Sequence, residues 1–242
     1  MKPREPKTNF FQKFKFVHAV YILISAILIA AISYMAYIVI LRSTSSPGAM
    51  PPFQMSNEPE IVLCLLSVGL AGLLLPVLLV RKLRIKVPAI IPILWAIFIF
   101  STVFLGEVCG FYHIAHYDKV LHALAAFTIA ILGFMVIDLF NKPGAVTTMK
   151  PFFIATFAFC FSFSINVLWE VYEFIMDSCF ADSNMQRFMV APGYPFIGQD
   201  ALSDTMRDIV IAVIGALVAV IIVHLYTKHR PNWLKKSQLK RI

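Results

Sequence analysis

Apolar positions along this chain gather into six runs, over residues 17–41, 60–80, 88–106, 119–140, 151–177 and 207–227. A helix of about 20 mostly apolar residues crosses a hydrocarbon layer about 30 Å thick, and each run meets that requirement. Between the runs stand residues that helix interiors avoid. Ser45, Ser46, Pro47, Gly48, Pro51 and Pro52 follow the first, Pro88 opens the third, Pro143 and Gly144 follow the fourth, and Pro192, Gly193 and Pro195 precede the sixth. The pattern predicts an all-α polytopic bundle of six transmembrane helices. It divides the chain into a basic amino-terminal segment (1–16), a transmembrane domain (17–227) and a basic tail (228–242). The first run follows basic residues, but its apolar core is too long for a secretory signal and no small-residue cleavage pattern follows, so it is expected to remain as an anchor.

Composition agrees: 60% of the 242 residues are hydrophobic and 14% charged, and the mean hydropathy of +0.80 lies above that of ordinary soluble domains. The expected partner is the lipid bilayer. With the amino terminus inside, Lys2, Arg4, Lys7, Lys13 and Lys15, Arg81, Lys82, Arg84 and Lys86, Lys142 and Lys150, and Lys228, Arg230, Lys235, Lys236, Lys240 and Arg241 all fall on cytoplasmic segments. These are 17 of the 21 basic residues. The bias predicts an N-in/C-in protein of the cell membrane with both termini cytoplasmic. The net charge of +8 is then a topology signal with attraction to anionic inner-leaflet lipid. No nucleic acid is expected as a partner, since no folded basic surface is available.

The acidic residues distribute the other way. Only Glu5 and Asp138 fall inside, and the remaining 11 of 13 lie outside or in outer helix halves. Within the fourth run, Asp118 and His122 share a helical face with Ala126, Ala130 and Gly133. The fifth carries Ser162, Asn166, Glu170, Glu173 and Asp177 as one stripe. The sixth is entered through Asp200, Asp204 and Asp208, followed by Ala212, Gly215, Ala216 and Ala219. Small residues let backbones approach, so these faces are expected to meet and bring Asp118, His122, Glu170, Glu173, Asp204 and Asp208 together. Carboxylates on a spanning helix must meet a cation, a basic side chain, protons or water. A structural account competes: Asp204 and Asp208 suit a helix start, His122 can be a packed residue bonded to Asp118, and Lys119, Arg187 and Arg207 can neutralise the acids as ion pairs.

Other polar groups are assigned bland roles. Glu107, His113 and His116 are expected in a short solvated loop, and His18 and His224 at the inner interface. Trp95, Trp169, Tyr117 and Tyr226 are expected to serve in part as belt residues that anchor helix ends. The cysteines Cys64, Cys109, Cys160 and Cys179 are expected as free, mostly buried thiols, in preference to a Cys109–Cys179 bridge. The segment 178–203, with Met185, Phe188, Met189, Val190 and Phe196, can lie on the membrane surface or fold over the site.

Asp118, Lys119 and His122 resemble the D-K-x-x-H signature of the small YjdF-like and VanZ-like integral membrane proteins of bacteria. Leu168, Trp169, Glu170, Val171, Tyr172, Glu173 and Phe174 are similar to the E-x-x-E stretch of the YjdF-like branch. Gly198, Gln199, Asp200, Asp204, Thr205, Asp208, Gly215 and Ala216 resemble its closing motif, with Asp200 one residue out of step. The resemblance covers residues 105 to 220. It implies the topology and a candidate site, and VanZ relatives are associated with glycopeptide antibiotic resistance.

Three functions fit these residues. A carboxylate and histidine cluster can hold a divalent cation for chemistry on a lipid or lipid-linked envelope substrate at the outer leaflet. It can serve a proton- or cation-coupled transporter, although no internal repeat is evident. It can also be interhelical glue in a structural component, an expensive use of carboxylates. The topology has a direct test: a fluorescent protein fused to the carboxyl end is expected to fluoresce and alkaline phosphatase fused after His113 to be active. The opposite pair of results inverts the orientation.

Overall fold

The computed structural model describes residues 10–44, 48, 55–82, 85–141, 148–179, 185–186, 196–229 and 240–241. Helix α1 (Phe10–Thr44) is followed by α2 (Pro59–Lys82) and α3 (Ile90–Ile99), which runs without a break into a π-helical segment (Phe100–Val108). Then come α4 (Tyr117–Phe140), α5 (Pro151–Cys179) and α6 (Gln199–His229). Six helical stretches are long and apolar enough to cross a membrane: Phe16–Thr44, Pro59–Lys82, Ile90–Val108, Tyr117–Ile137, Pro151–Cys179 and Gln199–Leu225. The remaining regular structure among the described residues is a 3-10 turn (Phe111–His113) and one short antiparallel pairing. In that pairing β1 (Ile85–Lys86) meets β2 (Lys240–Arg241), tying the tail to the α2–α3 connector.

Five of the six predicted spans stand nearly where hydropathy puts them. The sixth helix begins at Gln199, well before 207, because Asp204 and Asp208 find a partner inside the bundle and so do not end the helix. Much of the basic leader and tail, and most of the proposed lid segment with Arg187, Phe188, Met189 and Val190, lie outside the described residues.

Two apolar cores divide the bundle. Tyr21, Leu28 and Met35 of α1 pack with Val62, Leu66 and Leu73 of α2 and with Ala96, Ile99 and Val103 along α3 and the π segment. The second core joins Ala126, Ala130 and Phe134 of α4 to Ile154 and Ala158 of α5 and Ala212, Ala216 and Ala219 of α6, with Ile91 reaching in from the start of α3. Large side chains such as Ile22, Leu78, Phe152 and Val210 face outward, as a lipid-exposed surface requires. The four cysteines are free and exposed on this outer surface, not buried as expected, since small-residue contacts fill the interior.

Pro76 stands inside α2 and has no N–H, so the Gly72 carbonyl one turn earlier loses its helical donor. Trp95 replaces it, Nε1 donating to Gly72 O at 3.0 Å. The Tyr117 hydroxyl likewise donates to Ser101 O at 2.8 Å. Both side chains therefore spend their polar ends inside the protein, contrary to a pure belt role. The Tyr226 side chain lies outside the description.

Around the second core the helices touch backbone to backbone. A Cβ at Gly215 would stand 2.5 Å from Ala123 O, and one at Gly133 would stand 2.9 Å from Ala158 Cα. These contacts hold α6 and α5 close against α4 on the faces that carry the charged residues. Gly215→Val is expected to cost about 3 kcal/mol or more through overpacking against backbone that cannot move aside, measured as a lower Tm of the detergent-solubilised protein.

Candidate functional site

The chain turns from the π segment into α4 through two left-handed residues, Gly110 at φ 70° and His116 at φ 65°. The short turn delivers Asp118 and Lys119 to the first turn of α4, level with the second and third turns of α6 and the carboxyl-terminal half of α5. Lys119 Nζ donates to Asp204 Oδ1 at 2.6 Å and to Asp208 Oδ2 at 2.8 Å, and lies 3.4 Å from Asp118 Oδ2. One ammonium thereby ties α4 to α6 at two carboxylates and stands beside a third on its own helix.

One turn along α4 is His122, which is buried. Its Nε2 faces Asp118 Oδ1 at 3.6 Å and Asp208 Oδ1 at 4.0 Å, while its Nδ1 faces Glu170 Oε1 at 3.4 Å. Both oxygens of Glu170, and Asp208 Oδ1, are buried without a hydrogen-bond partner. Glu170 is 4% exposed and Asp208 2%. Glu173 is buried next to them, and its Oε1 accepts the Trp169 indole N–H at 2.6 Å. Among the described residues, five carboxyl groups thus surround one ammonium and one imidazole, an imbalance a low-dielectric bundle tolerates only with a further cation or with protons.

Two groups can offer three donor atoms to one ion, all within 4.8 Å of one another: Asp118 with His122 and Asp208, and His122 with Glu170 and Glu173. Lys119 already compensates the first. In the second, the Nδ1 to Oε1 separation of 3.4 Å is long for a charge-assisted hydrogen bond of about 2.7–2.9 Å. It suits two donors about 2.1 Å from a common ion, which stand about 3.0–3.4 Å apart.

All six residues singled out in the sequence converge here: Asp118, His122, Glu170, Glu173, Asp204 and Asp208. Asp200 does not; it is exposed in the first turn of α6. Asp177 leaves the stripe to accept the backbone N–H groups of Met185 at 2.8 Å and Gln186 at 3.1 Å. Arg207 is exposed and Arg187 lies outside the described residues, so among the described basic residues considered as counter-charges Lys119 is the one placed among the acids.

Sequence reasoning underrated Glu107. It is buried, not in a solvated loop, because the wide turns of the π segment bury Gly106, Glu107 and Val108 in succession. Asn57 Nδ2 donates to its Oε2 at 2.8 Å, and Ser56 N–H donates to its backbone carbonyl at 3.1 Å. Close by, the Tyr112 ring lies over Gly106, where a Cβ would collide with it. Burial, with the negative charges of Glu107, Asp118 and Glu173, pushes the Tyr112 phenol well above its ordinary range, so it stays a protonated donor. His113 Nε2 is 3.2 Å from Met55 O, and His116 is exposed. The signal for Glu107 was its place directly after the third apolar run, with Val108 and Cys109 following it.

Deeper along the stripe the polar groups are consumed in helix contacts. Ser162 Oγ donates to Ala126 O at 2.7 Å, and Asn166 Nδ2 to Ser162 O at 2.8 Å. Beyond them the Gly133–Ala158 contact closes α4 onto α5, and at the level of His122 the Gly215–Ala123 contact closes α4 onto α6. At the opposite end the Asp118 side chain is 38% exposed, so the cluster opens at the end of α4 and is closed toward its middle.

A family model described as predicted membrane protein (DUF2238) matches residues 53–229, which include every residue of this cluster. No curated protein and no solved structure matches the chain.

Replacing Lys119 leaves three carboxylates without their shared ammonium. Lys119→Met is expected to destabilise the protein by about 3 kcal/mol or more, as breaking a buried pair does, and adding Asp204→Asn and Asp208→Asn is expected to restore much of the loss. Thermal unfolding in detergent of the single and triple variants reads both effects.

Proposed function

We propose that this chain, which belongs to the DUF2238 family of predicted membrane proteins, binds a divalent cation in a one-sided site at the outer leaflet and uses it on a lipid or lipid-linked envelope substrate. The reading places the protein in the cell membrane with both termini cytoplasmic, as the basic-residue bias implies, and takes the resemblance to YjdF-like and VanZ-like proteins as a functional analogy. The observation that carries it is Glu170: a carboxylate with both oxygens buried and unpartnered, 3.4 Å from His122 Nδ1.

In this reading His122 Nδ1, Glu170 and Glu173 hold the ion. Asp118 and Asp208 lie on the Nε2 side and orient the imidazole, as outer-shell carboxylates do for metal-bound histidines. Lys119 fixes those two acids and Asp204, and so locks α4 to α6. A cation here polarises a phosphoryl or acyl oxygen and lowers the pKa of a bound water. Asp118, at the open end, is the residue an incoming headgroup meets first.

Transport is the second reading, favoured by a polar stripe that penetrates to Asn166 and Ser162. Those side chains are engaged in helix contacts, and at Gly215 and Gly133 the helices α6 and α5 lie against the α4 backbone too closely for a Cβ. These features support a site that works from one face.

Elemental mass spectrometry of the detergent-purified protein is expected to find about one divalent ion per chain. Glu170→Gln and Glu173→Gln are expected to lose it and Asp204→Asn to retain it. A wild-type protein free of metal, or one in which Asp204→Asn alone loses it, overturns the assignment.

A further inference from the structure

The Trp169 indole is 41% exposed on the outer surface of α5, while Glu173 one turn later is 8% exposed. The two are joined by the 2.6 Å bond from Nε1 to Oε1. Trp169 thus sits at the edge of the buried stripe, with its ring toward lipid and its one polar atom turned inward onto a carboxylate. Its ring also packs at 5.1 Å from that of Tyr172, so the aromatic pair covers the approach to Glu173 from the bilayer. Glu173 in turn offers an oxygen within 4.8 Å of donor atoms of His122 and Glu170.

We propose that Trp169 is a positioning residue of the cation site: its N–H fixes the Glu173 carboxylate in the orientation that meets the ion shared with His122 and Glu170. This deepens the cation reading above and rests on it. An indole suits the task for two reasons. It donates one hydrogen bond without adding a charge, so it orients Glu173 without competing as a counter-ion. Its amphipathic ring tolerates the lipid boundary that a lysine or arginine at the same place would have to leave. A mere space-filling role for the ring would be met equally by phenylalanine, and the hydrogen bond separates the two. Because the ion and the indole act on one carboxylate, cation binding draws electron density from Glu173 and alters the indole environment.

The test uses the full chain in detergent. Zinc affinity is measured by competition with a chromophoric chelator for wild type, Trp169→Phe, Glu173→Gln and the double variant. In parallel, wild type labelled with 5-fluorotryptophan is titrated with Zn2+ and followed by fluorine NMR; the chain has three tryptophans, and Trp95→Phe and Trp233→Phe identify the Trp169 resonance if Trp169→Phe does not fold. Trp169→Phe is expected to weaken zinc binding about 10- to 100-fold, the usual effect of losing an outer-shell partner. It is expected to add nothing in the Glu173→Gln background, and the Trp169 resonance is expected to move on saturation. Zinc-binding wild type with an unmoved Trp169 resonance, or with equal affinity in Trp169→Phe, overturns the role of Trp169 alone. Wild type that binds no zinc overturns the cation reading and this inference together.

Discussion

Lys119 sits where three helix-borne carboxylates would otherwise repel one another inside an apolar bundle, and the arrangement of the carboxyl-terminal half follows from that constraint. An unpaired charge in hydrocarbon is costly enough that ionisable residues in spans face protein or water and find partners. A single ammonium can donate three hydrogen bonds, so Lys119 serves Asp204 and Asp208 directly and remains within reach of Asp118. Its reach from α4 to α6 requires the two helices to be close. Gly215 provides that closeness by letting α6 rest on the Ala123 backbone. The ion pairs and the small-residue seam are therefore one device, in which close packing makes the pairing possible and the pairing fixes the register of the packing.

What Lys119 does not neutralise defines the chemistry. Glu170 and Glu173 stand on the far side of His122, where the imidazole lies 3.4 Å from Glu170 and the Trp169 indole donates to Glu173. Histidine divides the cluster into a compensated side and an uncompensated one. The imidazole turns Nε2 toward Asp118 and Asp208 and Nδ1 toward Glu170. The amino-terminal half reinforces the same end of the bundle. The π segment buries Glu107 beside Asn57, and Tyr112 lies between Glu107 and the cluster as a protonated phenol. Elsewhere in that half, Trp95 repairs the hydrogen bond that Pro76 removes from α2 and so joins α2 to α3, whose first residues reach into the other core.

Much of this was legible in the residues alone. Hydropathy is a local property, summed over a window about as long as the bilayer is thick, so the spans could be placed without knowing how they pack; the sixth went astray only where aspartates interrupted the window. Helical periodicity is local too, and it put Asp118 with His122, and Asn166 with Glu170 and Glu173, on common faces. The small residues at Ala126, Gly133, Gly215 and Ala216 marked those faces as inward, and the six acidic and histidine residues they carry do converge.

The choice of partners belonged to the tertiary structure. Lys119 rather than Arg207 as a counter-charge, the withdrawal of Asp177 into a loop bond, and the burial of Glu107 all depend on distances between segments far apart in sequence. So do the use of Trp95 and Trp169 as hydrogen-bond donors and the closing of the polar stripe at Ser162. Those distances are set by side-chain volumes at crossings such as Gly215 on Ala123 and Gly133 on Ala158. A periodicity identifies a face but not the residue across from it. The sequence by itself determined which helices form and which sides must avoid lipid, because each helix satisfies its own backbone and responds to the bilayer alone. Only the packed bundle decided which charge meets which, because an ion pair acts over a few ångströms and exists only where two backbones have been brought that close.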